Sequence, residues 1–198
     1  MSEKRRLFFA LNATDPIAQS FVPFHKKLRI NADQRETVVK WTPLDNYHVT
    51  VTFLGNTDVD SIPVLQETLT AVCNDFPPFE LKVEDVGAFS SETDARVIWL
   101  GVQNKKVLNE FKDTLDEKIA ALNLDIASER RDFVPHLTIG RLRNPKSVKD
   151  MISPLKRKSF GKIKVTEIIL YESKMAGAYP IYTPLFRAAL LGKKETEE

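Results

Sequence analysis

His48-Val49-Thr50-Val51-Thr52-Phe53-Leu54-Gly55 reads as a β-strand, and His136-Leu137-Thr138-Ile139-Gly140-Arg141 comes close to repeating it. Residues two apart on a strand share a face. The pattern therefore puts His48, Thr50 and Thr52 on one side and Val49, Val51 and Phe53 on the other. In the second copy His136 and Thr138 oppose Leu137 and Ile139. Each strand would bury one apolar face and present an imidazole beside a hydroxyl. Two of the three histidines in the chain lie in this pattern. With 14 threonines in 198 residues, a given histidine has threonine two places on about one time in fourteen, so coincidence explains the pair poorly.

Working outward, the segments around each copy also repeat in order. Leu7 to Leu11 is an apolar strand, and Ile17, Phe21, Phe24 and Leu28 then fall on one helical face. Thr14-Asp15-Pro16 supplies a capping residue and a proline for the start of this helix, while Pro23 predicts a kink or a split inside it. The stretch Trp41 to Leu54 carries the first histidine. Around the second copy, Arg96 to Val102 is a strand, Leu108, Phe111, Leu115, Ile119 and Leu122 mark a helix, and a strand from Phe133 to about Leu142 carries His136. A helix on Ile62, Leu65, Leu69 and Val72 and an alternating strand on Phe79, Leu81 and Val83 join the two. A short helix between Ser147 and Leu155 and strands over Ile163 to Tyr171 and Leu185 to Leu191 complete the chain. The expected fold is α+β: a bilobal duplicated unit with two antiparallel-type sheets flanked by helices and a central cleft. One domain is expected over residues 1–191, with a frayed polar tail over 192–198.

Composition narrows the functional classes. A hydrophobic share of 42% suits a globular core, and no apolar run approaches the roughly 20 residues of a membrane span. The lone Cys73 excludes an internal disulfide and a CxxC motif, and it is expected to pack inside a helix face in a cytoplasmic protein. The net charge of +2 gives no global attraction to nucleic acid, although Lys26-Lys27-Leu28-Arg29, Arg130-Arg131, Arg141 to Lys146 and Lys156-Arg157-Lys158 are local basic clusters. His25 is expected on the surface, and Trp41 and Trp99 in structural roles. One of Phe8 and Phe9 should face the cleft.

Two imidazoles suit one displacement at phosphorus. An imidazole titrates near neutrality, so one can activate the entering oxygen while the other protonates the departing one. The threonine hydroxyls can hydrogen-bond non-bridging phosphate oxygens. This division of labour calls for no cofactor and no metal.

The paired motifs resemble those of the two-histidine phosphoesterases, in particular the RNA 2′,3′-cyclic phosphodiesterase branch, also called 2′-5′ RNA ligase. Arg6 to Leu11, Trp41 to Gly55, Arg96 to Gly101, Pro135 to Arg141 and Tyr182 to Leu185 carry the resemblance, which runs from about residue 6 to 191. It implies a concave cleft holding both histidines, and hydrolysis of an RNA terminal 2′,3′-cyclic phosphate to a 2′-phosphomonoester, with reversible 2′-5′ ligation in some members. By the same resemblance His48 is the proton donor, His136 the proton acceptor, and Arg141 a phosphate neighbour. Thr50 and Thr138 are the remaining substrate-binding residues. Gly140 departs from the larger apolar residue frequent in relatives. The expected partner is RNA, with no membrane and no obligatory protein partner, the chain acting as a monomer. Two other readings use the same cleft: an RNA-binding module without turnover, and a phosphodiesterase for small cyclic phosphates.

Overall fold

The computed structural model describes residues 3–126, 132–177 and 179–193. The Arg130-Arg131 pair, the tail beyond residue 193 and the side chains of Asp15 and Pro16 lie outside the described residues. Within them the order is β1 (Lys4–Asn12), α1 (Thr14–Gln34), β2 (Val39–Trp41), β3 (His48–Asp58), α2 (Ile62–Asp75), β4 (Phe79–Ser90), β5 (Ala95–Gln103), α3 (Lys106–Ala121), β6 (His136–Lys146), α4 (Lys149–Ile152), β7 (Ser159–Val165), β8 (Glu167–Ala176) and β9 (Tyr179–Ala189).

Every strand pairing is antiparallel, and the strands run β7-β4-β5-β6-β3-β1-β8-β9, with β2 also paired to β6. This corrects the expectation of two separate sheets. The two histidine strands lie side by side in the middle of one connected sheet, and their ladder is a single pair, Val49 opposite Leu137. The reason is competition for one edge: β2 occupies β6 from Gly140 to Leu142, so β3 reaches it only at its start.

The single strand expected over Ile163 to Tyr171 is also corrected. The chain breaks at Thr166 into β7, beside β4, and β8, beside β1, at opposite sides of the sheet. The core-facing residues change parity there, from Ile163 and Val165 to Ile168 and Leu170. A run of uniform hydrophobicity hides that slip. The β8–β9 hairpin is longer than expected and projects Lys174 to Ala176 and Tyr179 to Ile181 beyond the core.

The helices cover one face of the sheet. Ile17, Phe21 and Leu28 of α1, Leu65, Leu69, Val72 and Cys73 of α2, and Leu108, Phe111, Leu115 and Ile119 of α3 are buried with Leu7, Phe9, Val49, Val51, Leu137 and Ile139 of the strands. Burying each such side chain contributes about 1.5–3 kcal/mol before entropy is counted. The opposite face carries a second, smaller cluster of Phe8, Ala10, Ile169 and Tyr171.

Helix α1 runs unbroken through Pro23, so of the expected kink or split the split does not occur. Its start is held from two residues further out than anticipated, by Asn12 Oδ1 accepting the Thr14 N–H at 2.7 Å. His25 is half-buried rather than exposed: its ring stacks on Phe21 and meets Trp41 edge-on, with Nε2 buried. Burial, and secondarily the Arg29 charge, lowers its pKa. The helical phase assigned it to the polar side, but Trp41 from β2 reaches over that side. No described helix is long and apolar enough to cross a membrane.

Candidate active site

The β-branched residues of β3 and β6 fix the orientation of the repeated motif. Val49, Val51, Leu137 and Ile139 are buried under the helices, and His48, Thr50, His136 and Thr138 turn to the opposite face. After the threonine, each strand then departs from simple alternation in the same way. Thr50 and Thr52 face the successive residues Ala10 and Phe9, so Val51 is an extra residue. Thr138 and Gly140 face the successive residues Trp99 and Ile98, so Ile139 is extra. These are β-bulges, which reset which face each later residue meets.

The bulges correct one expectation and explain another. Thr52 does not share the His48 face: its hydroxyl donates to Asp116 Oδ1 on α3 at 2.7 Å. Phe53 instead enters the cavity, and Arg141, at the matching offset of five from its histidine, does the same. An odd offset would bury Arg141 on an unbulged strand. Gly140 permits the second bulge to sit against β2, since a Cβ there would lie 2.7 Å from Val39 Cγ1 and 3.2 Å from Trp41 Cε3.

The two imidazoles are held alike. His48 Nδ1 lies 2.8 Å from the Asn46 carbonyl oxygen, and His136 Nδ1 lies 2.7 Å from that of Val134. A carbonyl only accepts, so Nδ1 carries the proton in both rings and Nε2 is the nitrogen that exchanges one. Tyr182 meets His48 edge-on at 4.9 Å and Phe8 lies 5.2 Å from it, while Phe89 meets His136 edge-on at 4.9 Å.

All five residues singled out in the sequence, His48, His136, Thr50, Thr138 and Arg141, line one cavity of about 240 Å³. Phe8 is the phenylalanine that faces it, and Phe9 is in the core. Sequence reasoning gave no role to three further lining residues, Arg6, Lys40 and Tyr182. Arg6 shares the parity of Phe8 on β1, which was a usable signal. Lys40 and Tyr182 come from β2 and β9 and belong to no local pattern. The Arg6 guanidinium lies 4.8 Å from the Phe53 ring, so the cation that Arg141 supplies on β6 is supplied beside β3 by its neighbour β1. No Asp or Glu is among the lining residues.

Burial lowers the His48 pKa to about 4; the Asn46 carbonyl opposes the shift, and the charges of His136 and Arg141 add to it. Burial raises the Tyr182 hydroxyl, with Arg141 and Arg6 pulling it back. A cationic recess with two exchangeable nitrogens is suited to an anion undergoing acid–base chemistry.

Comparison with known proteins places the chain in a family. The family model described as the 2′-5′ RNA ligase superfamily matches residues 16–175. The chain belongs to the 2′-5′ RNA ligase superfamily. A superfamily relative from Methanocaldococcus jannaschii, named RNA 2′,3′-cyclic phosphodiesterase, is 32% identical over 180 residues, covering 89% of this chain and 96% of the relative. One of the same name from Archaeoglobus fulgidus is 32% identical over 182 residues, covering 91% and 97%. Among solved structures, E. coli LigT complexed with 3′-AMP aligns with a TM-score of 0.70 at 26% identity, over 95% of this chain and 99% of that one. A Thermus thermophilus protein, TT0787, has the same fold, with a TM-score of 0.81 at 22% identity over 95% and 99%.

Proposed function

We propose that the protein is an RNA 2′,3′-cyclic phosphodiesterase, opening a terminal cyclic phosphate to a 2′-phosphomonoester without a metal ion. The observation that carries this reading is the presence of both Nδ1-anchored histidines on one cationic cavity, and the names of the superfamily relatives support it. His136 takes a proton from water, the water oxygen attacks phosphorus opposite the 3′-oxygen, the P–O3′ bond breaks, and His48 delivers its Nε2 proton to the departing 3′-oxygen. Thr50, Thr138 and Arg141 hold the non-bridging oxygens. A 5′-hydroxyl in place of water forms a 2′-5′ phosphodiester instead, which is reversible ligation.

The proposal takes an RNA end as partner and a monomer in the cytoplasm as the working unit. The test is incubation of a short RNA ending in a 2′,3′-cyclic phosphate with excess EDTA. A 2′-phosphate product is expected, and His48→Ala and His136→Ala should each lower kcat/KM by about 10²–10⁴-fold. A 3′-phosphate product, or His48→Ala as active as the parent, rejects the mechanism.

The low pKa of His48 favours a second assignment, with His48 as base and His136 as acid. A phosphodiester with a 4-nitrophenolate leaving group separates the two, because such a group departs without a proton. Retained activity of His48→Ala on it keeps His48 as the donor; retained activity of His136→Ala reverses the roles.

A further inference from the structure

Lys40 stands opposite Arg141 in the β2–β6 ladder, and both side chains line the cavity. Directly opposed residues on antiparallel strands have Cβ atoms only about 4.5–5.5 Å apart, and like charges there repel. Asp132 lines the adjoining cavity that shares His136 and Arg141 with this one, but no acidic side chain lines the cavity on the Lys40 side, and among the described residues Lys40 has no ion pair. Arg6 adds a third cation. A cyclic phosphodiester carries a single negative charge, so the proposed reacting group leaves fixed positive charge unmatched.

Lys40 is also the cation set apart from the histidines. Its ammonium lies 4.7 Å from the centre of the Tyr179 ring, at the turn of the β8–β9 hairpin, where Tyr179 is 37% exposed. That turn is tied to the residues before His48 by Asn46 Nδ2 donating to the Pro180 carbonyl at 2.9 Å. An aromatic face thus steadies Lys40 at the open side of the cavity, while Arg141 is close enough for its charge to act on His48. Two exposed cations side by side, of which Arg141 is the one whose charge reaches His48, match two phosphates separated by one ribose.

We infer that Lys40, backed by Tyr179, binds the phosphate on the 5′ side of the terminal nucleoside, so that the site prefers a nucleotide embedded in a strand to a free cyclic nucleoside phosphate. This rests on the phosphodiesterase reading for its substrate, and the experiment separates the two.

Adenosine 2′,3′-cyclic phosphate is compared with the same compound carrying a 5′-phosphate. The parent protein is expected to favour the 5′-phosphorylated form in kcat/KM by about tenfold, the scale of one charge-assisted contact. Lys40→Gln should bring that ratio close to one, and Lys40→Arg should retain most of it. A parent ratio near one, or an undiminished ratio in Lys40→Gln, overturns the inference. A binding arm needs no turnover: adenosine 2′,5′-bisphosphate should bind the parent about tenfold more tightly than adenosine 2′-monophosphate, the scale of one charge-assisted contact, with a steeper salt dependence. Both increments should vanish in Lys40→Gln, whose remaining affinity for the monophosphate reports that it is folded. If this binding pattern is found while neither cyclic compound is hydrolysed, the subsite stands and the phosphodiesterase reading falls. Equal affinity of the parent for the two nucleotides overturns the subsite whatever the enzyme does.

Discussion

At the scale of the residue, His48 links stability to chemistry. Its pKa is lowered to about 4 in the folded chain, chiefly by burial, against about 6.5 when unfolded. The native state therefore resists protonation that the unfolded chain accepts. The resulting stability is complete above about pH 6.5 and is lost as pH falls toward 4, by on the order of 3 kcal/mol. Denaturant melts across that range should fall more steeply for the parent than for His48→Asn. An anion in the cavity reverses this balance, because it compensates the burial and the charges of His136 and Arg141. Sulfate, whose charge is constant over this range, should bind more tightly as pH falls from 7 to 5 and take up a proton. Calorimetry in two buffers of different ionisation enthalpy reads that uptake, which should be smaller in His48→Asn. The histidines and threonines were legible as chemistry because their residue types and spacing repeat. Arg6 offered only its parity with Phe8, and Lys40 and Tyr182 gave no local signal of a role, because β1, β2 and β9 bring the three together only after the sheet has formed.

At the scale of the element, hydrophobic periodicity located the three long helices and the strands beneath them, since each buries one apolar face. It failed wherever a strand changes phase. The bulges at Val51 and Ile139 and the break at Thr166 each alter parity without any glycine or proline inside the slip to announce it. Gly140, one residue past the second bulge, is where the consequence can be measured. Gly140→Val places side-chain atoms where Val39 and Trp41 already are, and these belong to β2, which presents Lys40. The cost should be about 1–3 kcal/mol, read as a fall in Tm of about 2–4 °C per kcal/mol for a chain of this size. Rescue by shortening Val39 to Ala would place the strain at the β2–β6 contact; a variant as stable as the parent would show that β2 yields without cost.

At the scale of the whole molecule, the order of strands and helices around each histidine was readable from the sequence, but the pairing of the two histidine strands within one sheet was not. Both histidine strands are buried on one face over the same core, and only Val49 and Leu137 connect them through backbone pairing. Nothing in either segment names the other as its neighbour. The placement of the imidazoles relative to each other depends on this narrow seam, because His48 and His136 immediately precede Val49 and Leu137. Leu137→Ala removes buried methyl groups at the seam and should cost about 2–5 kcal/mol. Its effect on catalysis should exceed its effect on binding, since an error of about 1 Å in a catalytic group can cost 10²-fold in rate. Assayed well below its Tm, Leu137→Ala should lose kcat on a cyclic-phosphate RNA by at least tenfold while KM stays within a few-fold. Leu115→Ala, at a buried α3 position outside the cavity lining, should lose comparable stability with far less effect on kcat. Equal losses of kcat in the two variants would mean that general loosening of the core, and not the seam, governs the spacing of the histidines.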